Sequence, residues 1–397
     1  MKLLVVHPGV RYSTGDMYDG YMKVLQKRHE VIEYRLDARV EMMDHYLTYA
    51  WKQAEARRKR EHRSATNEAY VKREDPPQMP PAIPKPQMAE AVRAGSMTIL
   101  EAALSILPDW VVVFSGMFLH PDALICLYRA GCPIAVVLTE SPYDDAKQRL
   151  LIAHCDVAFT NERASVPLLR REQYVDDDPQ QARISGNKNT HYLPHAFDPE
   201  RHNPDARIEN EDHVPSHDVV FVGSGFSERQ DLLMEVDWDF LGYDFGLYGQ
   251  WPYVGNRSRL RQFMRGGITD NRYVAALYRK ATVGLNIYRR SVGQSRNATR
   301  IRGAESLNPR ALELAALGVP HISDYRAEVN EVFGDLVPTF DPEMPGDMTR
   351  AMVDLFDNPE HQDLMRRELP KRVKGWTFEP RVDQMEKVLN ATRQIPR

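Results

Sequence analysis

Residues Glu305 to Asp324 read ESLNPRALELAALGVPHISD. Small and polar residues lead into Pro309, whose fixed φ and missing N–H suit the first turn of a helix. Leu317 and Gly318 stop that helix, and Val319 to Ser323 has the length and apolar content of a buried strand. A helix returning into a buried strand is the repeating unit of a parallel α/β sheet. The positive amino end of such a helix, with its unpaired amides, favours a phosphate or diphosphate. Glu305 and Glu313 stand eight residues apart, and Glu313, in the turn after Arg310, is placed to accept hydrogen bonds from vicinal hydroxyls such as those of a ribose. An isolated glutamate pair is better explained as the solvated acids of an amphipathic helix. The strand that follows weakens that explanation, because it puts the pair at the carboxyl edge of the sheet, where ligands bind.

Strand and helix alternate on both sides of this stretch. Upstream lie Asp218 to Val222, a Gly loop with its helix, Tyr243 to Tyr248 and Val283 to Ile287. The chain opens the same way, with Leu3 to Val6, a polar loop, the helical spacing of Met17 to Arg28, and Val31 to Tyr34. The pattern breaks at about Glu41 to Arg73, which reads as one long polar helix, and at Asp75 to Pro86, which holds six prolines. Alternation resumes through Met88 to Ile106, Trp110 to Phe114, Pro121 to Ala130, Pro133 to Leu138, Tyr143 to His154 and Asp156 to Thr160. The polar stretch from His195 to Asp218 suits a linker. The fold class expected is α/β, with two Rossmann-like halves in tandem. The first is residues 1–200 with a helical, Pro-rich insertion at about 41–87, and the second is 201–375. A terminal helix, 376–397, returns to pack on the first.

The 397 residues, with 52 Lys plus Arg against 56 Asp plus Glu, carry a net charge of -4, which argues against a dedicated nucleic-acid binder. With 42% hydrophobic and 27% charged residues the composition is that of a soluble globular enzyme, and no apolar run approaches a membrane span. MKLLVVHPGV reads as a first strand rather than a signal peptide. Cys126, Cys132 and Cys155 lack metal-type spacing, so neither a disulfide framework nor a zinc site is expected, and a cytoplasmic location is the default.

Several further residues fall at carboxyl edges of expected strands. In VGSGFSERQ, Gly223 and Gly225 follow a strand, Ser227 suits a helix cap and Arg229 lies in the first turn, a pattern that suits phosphate but is also an ordinary strand-to-helix turn. Tyr248, Gly249, Gln250 and Trp251 follow the next strand, where an aromatic pair either stacks on a base or packs in the core. The segment Arg289 to Arg302 is basic and lacks apolar periodicity, so it reads as a loop that closes over phosphates or as a solvated one. In the first half, Gly9, Tyr12, Ser13, Thr14 and Asp16 follow the first strand, and Asp16 is a base or the cap of a helix starting at Met17. Glu140 and Tyr143 follow Pro133 to Leu138, where a carboxylate suits activation of an acceptor hydroxyl. His120 and His195 are the best-placed histidines, although lone histidines are usually structural. Lys52 to Arg63 holds six basic and two acidic residues, a solvated helix face or a docking surface for an acidic or polymeric acceptor.

The pair Glu305 and Glu313 resembles the E-x7-E donor motif of GT-B glycosyltransferases. With HPGVRYSTGDMYDGY, PDWVVVFSGMFL, TESPYDDAKQRL, FTNERASV, YLPHAFDPERH, VVFVGSGFSERQDLL and YRKATVGLNIYR, in order along nearly the whole chain, it looks like the CgeB-like, spore maturation protein type, group. The resemblance implies two Rossmann domains facing a central cleft, with a nucleotide-sugar donor such as a UDP-sugar mostly on the second and an acceptor mostly on the first. It implies that Glu313 holds the ribose, that Glu305 sits near the donor sugar or its phosphates, and that the amides of Ser306, Leu307 and Asn308 meet the diphosphate. Arg229 matches the basic residue that steadies the diphosphate. Two positions depart from the pattern. Ser306, Leu307 and Asn308 replace the usual Gly-Phe-Gly, and Ser224 replaces a second basic residue, so charge neutralisation falls to Arg310 or to an arginine of Arg289 to Arg302.

The function expected is therefore sugar transfer, hexosyl or pentosyl, from a nucleotide diphosphate sugar to an acceptor. A protein side chain or glycan ranks first as acceptor, a modified nucleic-acid base second. Catalysis would use Glu305, Glu140 and Asp16. Donor binding would use Gly223, Gly225, Arg229, Tyr248, Gln250, Ser306, Leu307, Asn308, Arg310 and Glu313. The acceptor side would comprise Gly9, Tyr12, Ser13, Thr14, His120, Tyr143 and His195. No metal and no cofactor beyond the donor is expected, because a helix amino end and arginines stabilise the leaving diphosphate. A sugar-nucleotide epimerase of the same fold and a non-catalytic nucleotide-sugar binding protein are the alternatives.

Overall fold

The computed structural model describes residues 1–9, 14–171, 186–206, 211–267, 270–292, 301 and 303–393. The first part of the chain runs β1 (Lys2–Val6), α1 (Thr14–Arg28), β2 (Glu30–Tyr34), α2 (Leu36–Lys72), α3 (Met88–Met97), α4 (Ile99–Ile106), β3 (Trp110–Phe114), α5 (Pro121–Arg129), β4 (Ile134–Leu138), α6 (Asp145–Ile152), β5 (Val157–Thr160), α7 (Val166–Arg170) and β6 (Thr190–Tyr192). These strands form a six-stranded sheet in the order β2-β1-β3-β4-β5-β6. The second part runs β7 (His217–Val222), α8 (Ser227–Glu235), α9 (Trp238–Leu241), β8 (Phe245–Tyr248), β9 (Met264–Gly266), α10 (Asn271–Arg279), β10 (Ala281–Asn286), α11 (Pro309–Ala316), β11 (His321–Asp324), α12 (Ala327–Phe333), β12 (Thr339–Phe340), α13 (Asp347–Phe356), α14 (Pro359–Arg372) and α15 (Phe378–Arg393). Its six strands are ordered β12-β11-β10-β7-β8-β9.

Both sheets are parallel, which explains why the central strands are apolar on both faces. WVVVF and IAVVL are buried at every position, as helices cover the two sides of the sheet. In the second sheet Val219, Phe221, Leu247, Leu285 and Ile322 pack with α11 residues Ala311, Leu312 and Ala315 into one core. Parallel strands put their carboxyl ends on one edge, and the loops after β7, β8, β10 and β11 all start there.

By residue contacts the chain divides into two compact units, one of Met1–Tyr18, Arg28–Val137 and Leu150–Asp156, the other of Asp19–Lys27, Leu138–Arg149 and Val157–Arg397. In the first, α2 is 37 residues long and crosses α3 at Gly95, where any Cβ would press on the backbone of Arg39 and Val40. In the second, α15 is anchored by Phe378, whose ring lies edge-on to Tyr21 at 5.2 Å and fills the space a side chain at Gly20 would need. Gln384 and Arg381 of the same helix donate to the carbonyls of Tyr192 and His195.

Candidate functional site

The loop that precedes α11 is clasped on all sides within the larger unit. Asn308 caps the helix, its side-chain oxygen accepting from the Ala311 amide at 2.9 Å while its amide group donates to Asn286. Glu162, buried just past β5, accepts from the amides of Glu305 (3.1 Å) and Ser306 (3.2 Å) and from the Ser306 hydroxyl (3.2 Å). Glu328, in the first turn of α12, accepts from the Leu307 amide at 2.7 Å and from the Tyr192 hydroxyl. Burial raises the pKa of Glu328, against the opposing pull of these donors. The Asn308 amide points to the Tyr288 hydroxyl at 3.4 Å. This corrects one expectation, that the amides of Ser306, Leu307 and Asn308 meet a diphosphate. Anionic acceptors do sit on the Ser306 and Leu307 amides, but they are carboxylates of the chain itself.

Glu305 is half-exposed, and its carboxylate accepts from Arg163 Nε at 2.7 Å; the same guanidinium forks onto Glu331 at 2.6 and 2.7 Å. Glu313 lies in the second turn of α11 and is buried. Burial is the largest influence and pushes its pKa up, but Arg310 at 2.6 Å, His202 at 4.0 Å, Arg201 and His195 together outweigh it, and the net shift is downward. Arg310 thereby has its guanidinium on Glu313 and over the Tyr278 ring, 5.0 Å from its centre. His195 belongs to the same neighbourhood: its Nε2 faces Asn161 at 3.0 Å, and burial drives its pKa down to about 4, so the ring is neutral at pH 7.

Around the carboxyl ends of β7, β10 and β11 the unit gathers cations. Arg229, in the first turn of α8, donates to the carbonyls of Ile287 (3.0 and 2.7 Å) and Ser224 (3.1 Å). No carboxylate among the described residues lies within ion-pair distance of it, and burial lowers its pKa. Phe226 is flanked by Arg229 and Arg289, with guanidinium carbons 5.3 and 4.8 Å from the ring centre. Arg289 also covers the Tyr143 ring at 4.6 Å and reaches Glu140 at 3.2 Å. Arg326 lies under 10% exposed over Tyr288, with its Nε lacking a hydrogen-bond partner among the described residues. Asp324 closes β11 beside them. Burial raises its pKa to about 6 despite Arg326 and Arg290. Glu228 binds the amides of Arg290 and Ser291 and so fixes where the basic segment begins. Most of that segment, 293–300 and 302, lies outside the described residues, as do Tyr12 and Ser13.

Other expected site residues have structural duties. Tyr248 is not a stacking platform: its ring is buried and its hydroxyl bonds His217 Nε2 at 2.8 Å. Trp251 is core too, edge-on to Phe221, and it is the ring that a Cβ at Gly225 would strike. Gln250 is exposed and its carbonyl accepts from the Gly225 amide, while the Gly223 amide bonds the Tyr248 carbonyl. His120 caps α5, its Nδ1 accepting from the Asp122 amide. Asp16 is not a cap, because α1 begins at Thr14 and places Asp16 within the first turn, where a negative charge suits the helix dipole. Gly9 has φ +101° and lies against Phe118. Tyr143 and Glu140 remain at the cationic cluster. The Tyr143 hydroxyl donates to the Arg289 carbonyl at 2.6 Å, and burial raises both residues' pKa values. Sequence reasoning assigned no role to Glu162, Arg163, Asp324, Arg326 or Glu328. The available signal was position: each lies within four residues of the carboxyl end of a short apolar strand.

The two parallel six-stranded sheets are the α/β architecture of GT-B glycosyltransferases. HepE of Anabaena, solved in complex with UDP-glucose, is similar with a TM-score of 0.59 at 10% identity, over 98% of this chain and 100% of that one. A UDP-forming α,α-trehalose-phosphate synthase from Burkholderia vietnamiensis gives 0.56 at 13% identity over 98% and 100%. Sucrose-phosphate synthase from Thermosynechococcus elongatus gives 0.53 at 12% identity over 78% and 80%. At such identities the likeness is one of fold. In sequence, residues 229–387, which hold Arg229, both motif glutamates, Asp324 and Arg326, match the family described as glycosyl transferase-like. No curated protein sequence matches the chain. No helix among the described residues is long and apolar enough to cross a membrane.

Proposed function

We propose that this chain is a glycosyltransferase of the CgeB-like group that transfers a hexosyl or pentosyl unit from a nucleotide diphosphate sugar of the UDP-sugar type to an acceptor, in the cytoplasm and without a metal in the catalytic role. The observation that carries the reading is Arg229. A half-buried guanidinium that makes three hydrogen bonds to the Ile287 and Ser224 carbonyls, with no carboxylate of the described residues within ion-pair distance, is a place an anion would complete. It stands where a strand-edge loop meets a helix amino end, at the start of the glycosyl transferase-like match. Arg289 and Arg326 stand with it, so a diphosphate that leaves with growing negative charge is met by preorganised cations, worth most in a site of low dielectric. Glu305, with its carboxylate steadied by Arg163, faces the donor sugar in this reading. Glu140, whose pKa burial has raised, is the candidate to take a proton from an acceptor hydroxyl.

HepE of Anabaena, of similar fold, was solved in complex with UDP and with UDP-glucose, and this supports a uridine diphosphate sugar as the first donor to test. Melting the protein with UDP, UMP, UDP-glucose, other nucleotide sugars and NAD is the experiment. Stabilisation by a nucleoside diphosphate or its sugar, and not by UMP or NAD, is expected. The absence of any shift with all nucleotide diphosphate sugars at millimolar concentration would overturn the proposal.

A further inference from the structure

Helix α2 has two faces with different chemistry. Trp51 donates to the Ile83 carbonyl at 2.9 Å, Glu55 accepts from the Ile83 amide, and Arg58 donates to the Pro80 carbonyl, so the proline-rich segment is strapped along one side. At about 100° per residue, Tyr46, Tyr49, Lys52, Arg57, Arg60 and Arg63 fall within roughly 140° of arc on the other side. The tyrosines are 65% and 62% exposed, and the four cations are exposed as well. None of these cations forms an ion pair among the described residues. Of the two acids in Lys52 to Arg63, Glu55 is spent on Arg58 and Ile83, which leaves Glu61 alone.

We propose that this face binds single-stranded nucleic acid, with Lys52, Arg57, Arg60 and Arg63 on the phosphate backbone and Tyr46 and Tyr49 stacked on bases. A protein-binding helix face concentrates apolar side chains at its centre and moves charge to the rim. Here the centre is cationic and the apolar surface consists of flat aromatic rings toward one end, the arrangement that tracks a polyanion and stacks its bases. Three arginines suit phosphate, since each offers a planar fork of donors. The net charge of -4 belongs to the whole chain and does not describe this face. The inference stands apart from the donor site, because all six residues lie on α2.

Fluorescence anisotropy of a labelled, mixed-sequence 20-nucleotide single strand at 20 to 200 mM salt tests it. The wild-type chain should bind at low salt. Arg57→Glu/Arg60→Glu/Arg63→Glu should weaken binding at least tenfold and flatten the plot of log affinity against log salt by about 2, at roughly 0.7 per phosphate contact for a single strand. Tyr46→Ala/Tyr49→Ala should weaken it about 25-fold or more, since each of the two stacked bases contributes at least about fivefold. Both variants alter exposed positions and should melt with the wild type; if the charge variant misfolds, the tyrosine variant carries the test. No binding at 20 mM salt, binding indifferent to the folded variants, or tighter capture of polyglutamate than of the oligonucleotide would overturn the proposal. UDP-induced stabilisation, measured on the same variants, should be unchanged, so the donor reading and this one fail separately.

Discussion

Asp324 shows what one buried carboxylate does beside several arginines. It is fully buried at the end of β11, one oxygen accepts from the Tyr288 amide, and the other has no hydrogen-bond partner among the described residues, with Arg290 Nε 3.8 Å away. Its folded pKa, raised to about 6 by burial, exceeds the ordinary carboxylate value, so between pH 4 and 6 the folded chain holds more protons than the unfolded one. The group therefore costs stability above pH 6, on the order of 3 kcal/mol, and that cost disappears as pH falls toward 4. Asp324→Asn imitates the protonated state. Its melting temperature relative to the wild type should rise as pH goes from 4.5 to 8; a difference that stayed flat or fell over that range would contradict a pKa raised to about 6. The position of this carboxylate was legible in ESLNPRALELAALGVPHISD as the residue just after an expected strand, Val319 to Ser323, and the structure makes it the strand's last residue. Its arginine neighbours were not, because Arg326 lies two residues on and Arg229 almost a hundred residues earlier, and only the β7-β10-β11 pairing unites them.

Among the elements, the loop from Glu305 to Asn308 departs most from what its sequence suggested. Pro309 and Asn308 do mark the helix start, and Gly318 its stop, because backbone chemistry at helix ends is local and readable. The unpaired amides were readable too, but not their acceptors, since Glu162 lies just past β5, more than a hundred residues away, and Glu328 opens α12 beyond the next strand. Ser306 in place of glycine fits this arrangement: its hydroxyl donates to Glu162 and accepts from the Arg163 amide at 2.9 Å, bonds that glycine lacks. Glu162→Ala leaves three amides, those of Ala164, Glu305 and Ser306, and the Ser306 hydroxyl without their acceptor. Each unsatisfied group costs roughly 1 to 3 kcal/mol, so the melting temperature should fall by several degrees, and Glu162→Gln, which keeps an acceptor oxygen, should recover part of the loss. If Glu162→Ala melted with the wild type, the clasp would hold no structural weight. The stacking residues failed for another reason: Tyr248 at the end of β8 and Trp251 just beyond it give the same sequence pattern in a core as in a site, and only packing on His217 and Phe221 decides between them.

At the scale of the whole molecule, hydrophobic periodicity was enough to read the alternation of strands and helices and hence two parallel sheets, while the spatial company of individual side chains was not. The long polar helix after β2 was visible as an uninterrupted charged pattern, and the prolines after it as a stop. Less visible was how α15 is held, because Gly20 is an ordinary helical glycine until Phe378 lies on it. Gly20→Ala puts a methyl group into that ring, and a destabilisation of about 1 to 3 kcal/mol is expected from urea unfolding. An unchanged midpoint would mean that α15 shifts aside without cost. The central claim, that a cationic strand-edge site in the glycosyl transferase-like region holds a nucleotide diphosphate, concerns the second sheet as a whole and rests on Arg229. Titration calorimetry of UDP into the wild type and into a folded Arg229→Met variant tests it most directly. The account predicts measurable binding that weakens at least tenfold, about 1.4 kcal/mol, in the variant; equal affinity in the two proteins, or no binding to either, would contradict it.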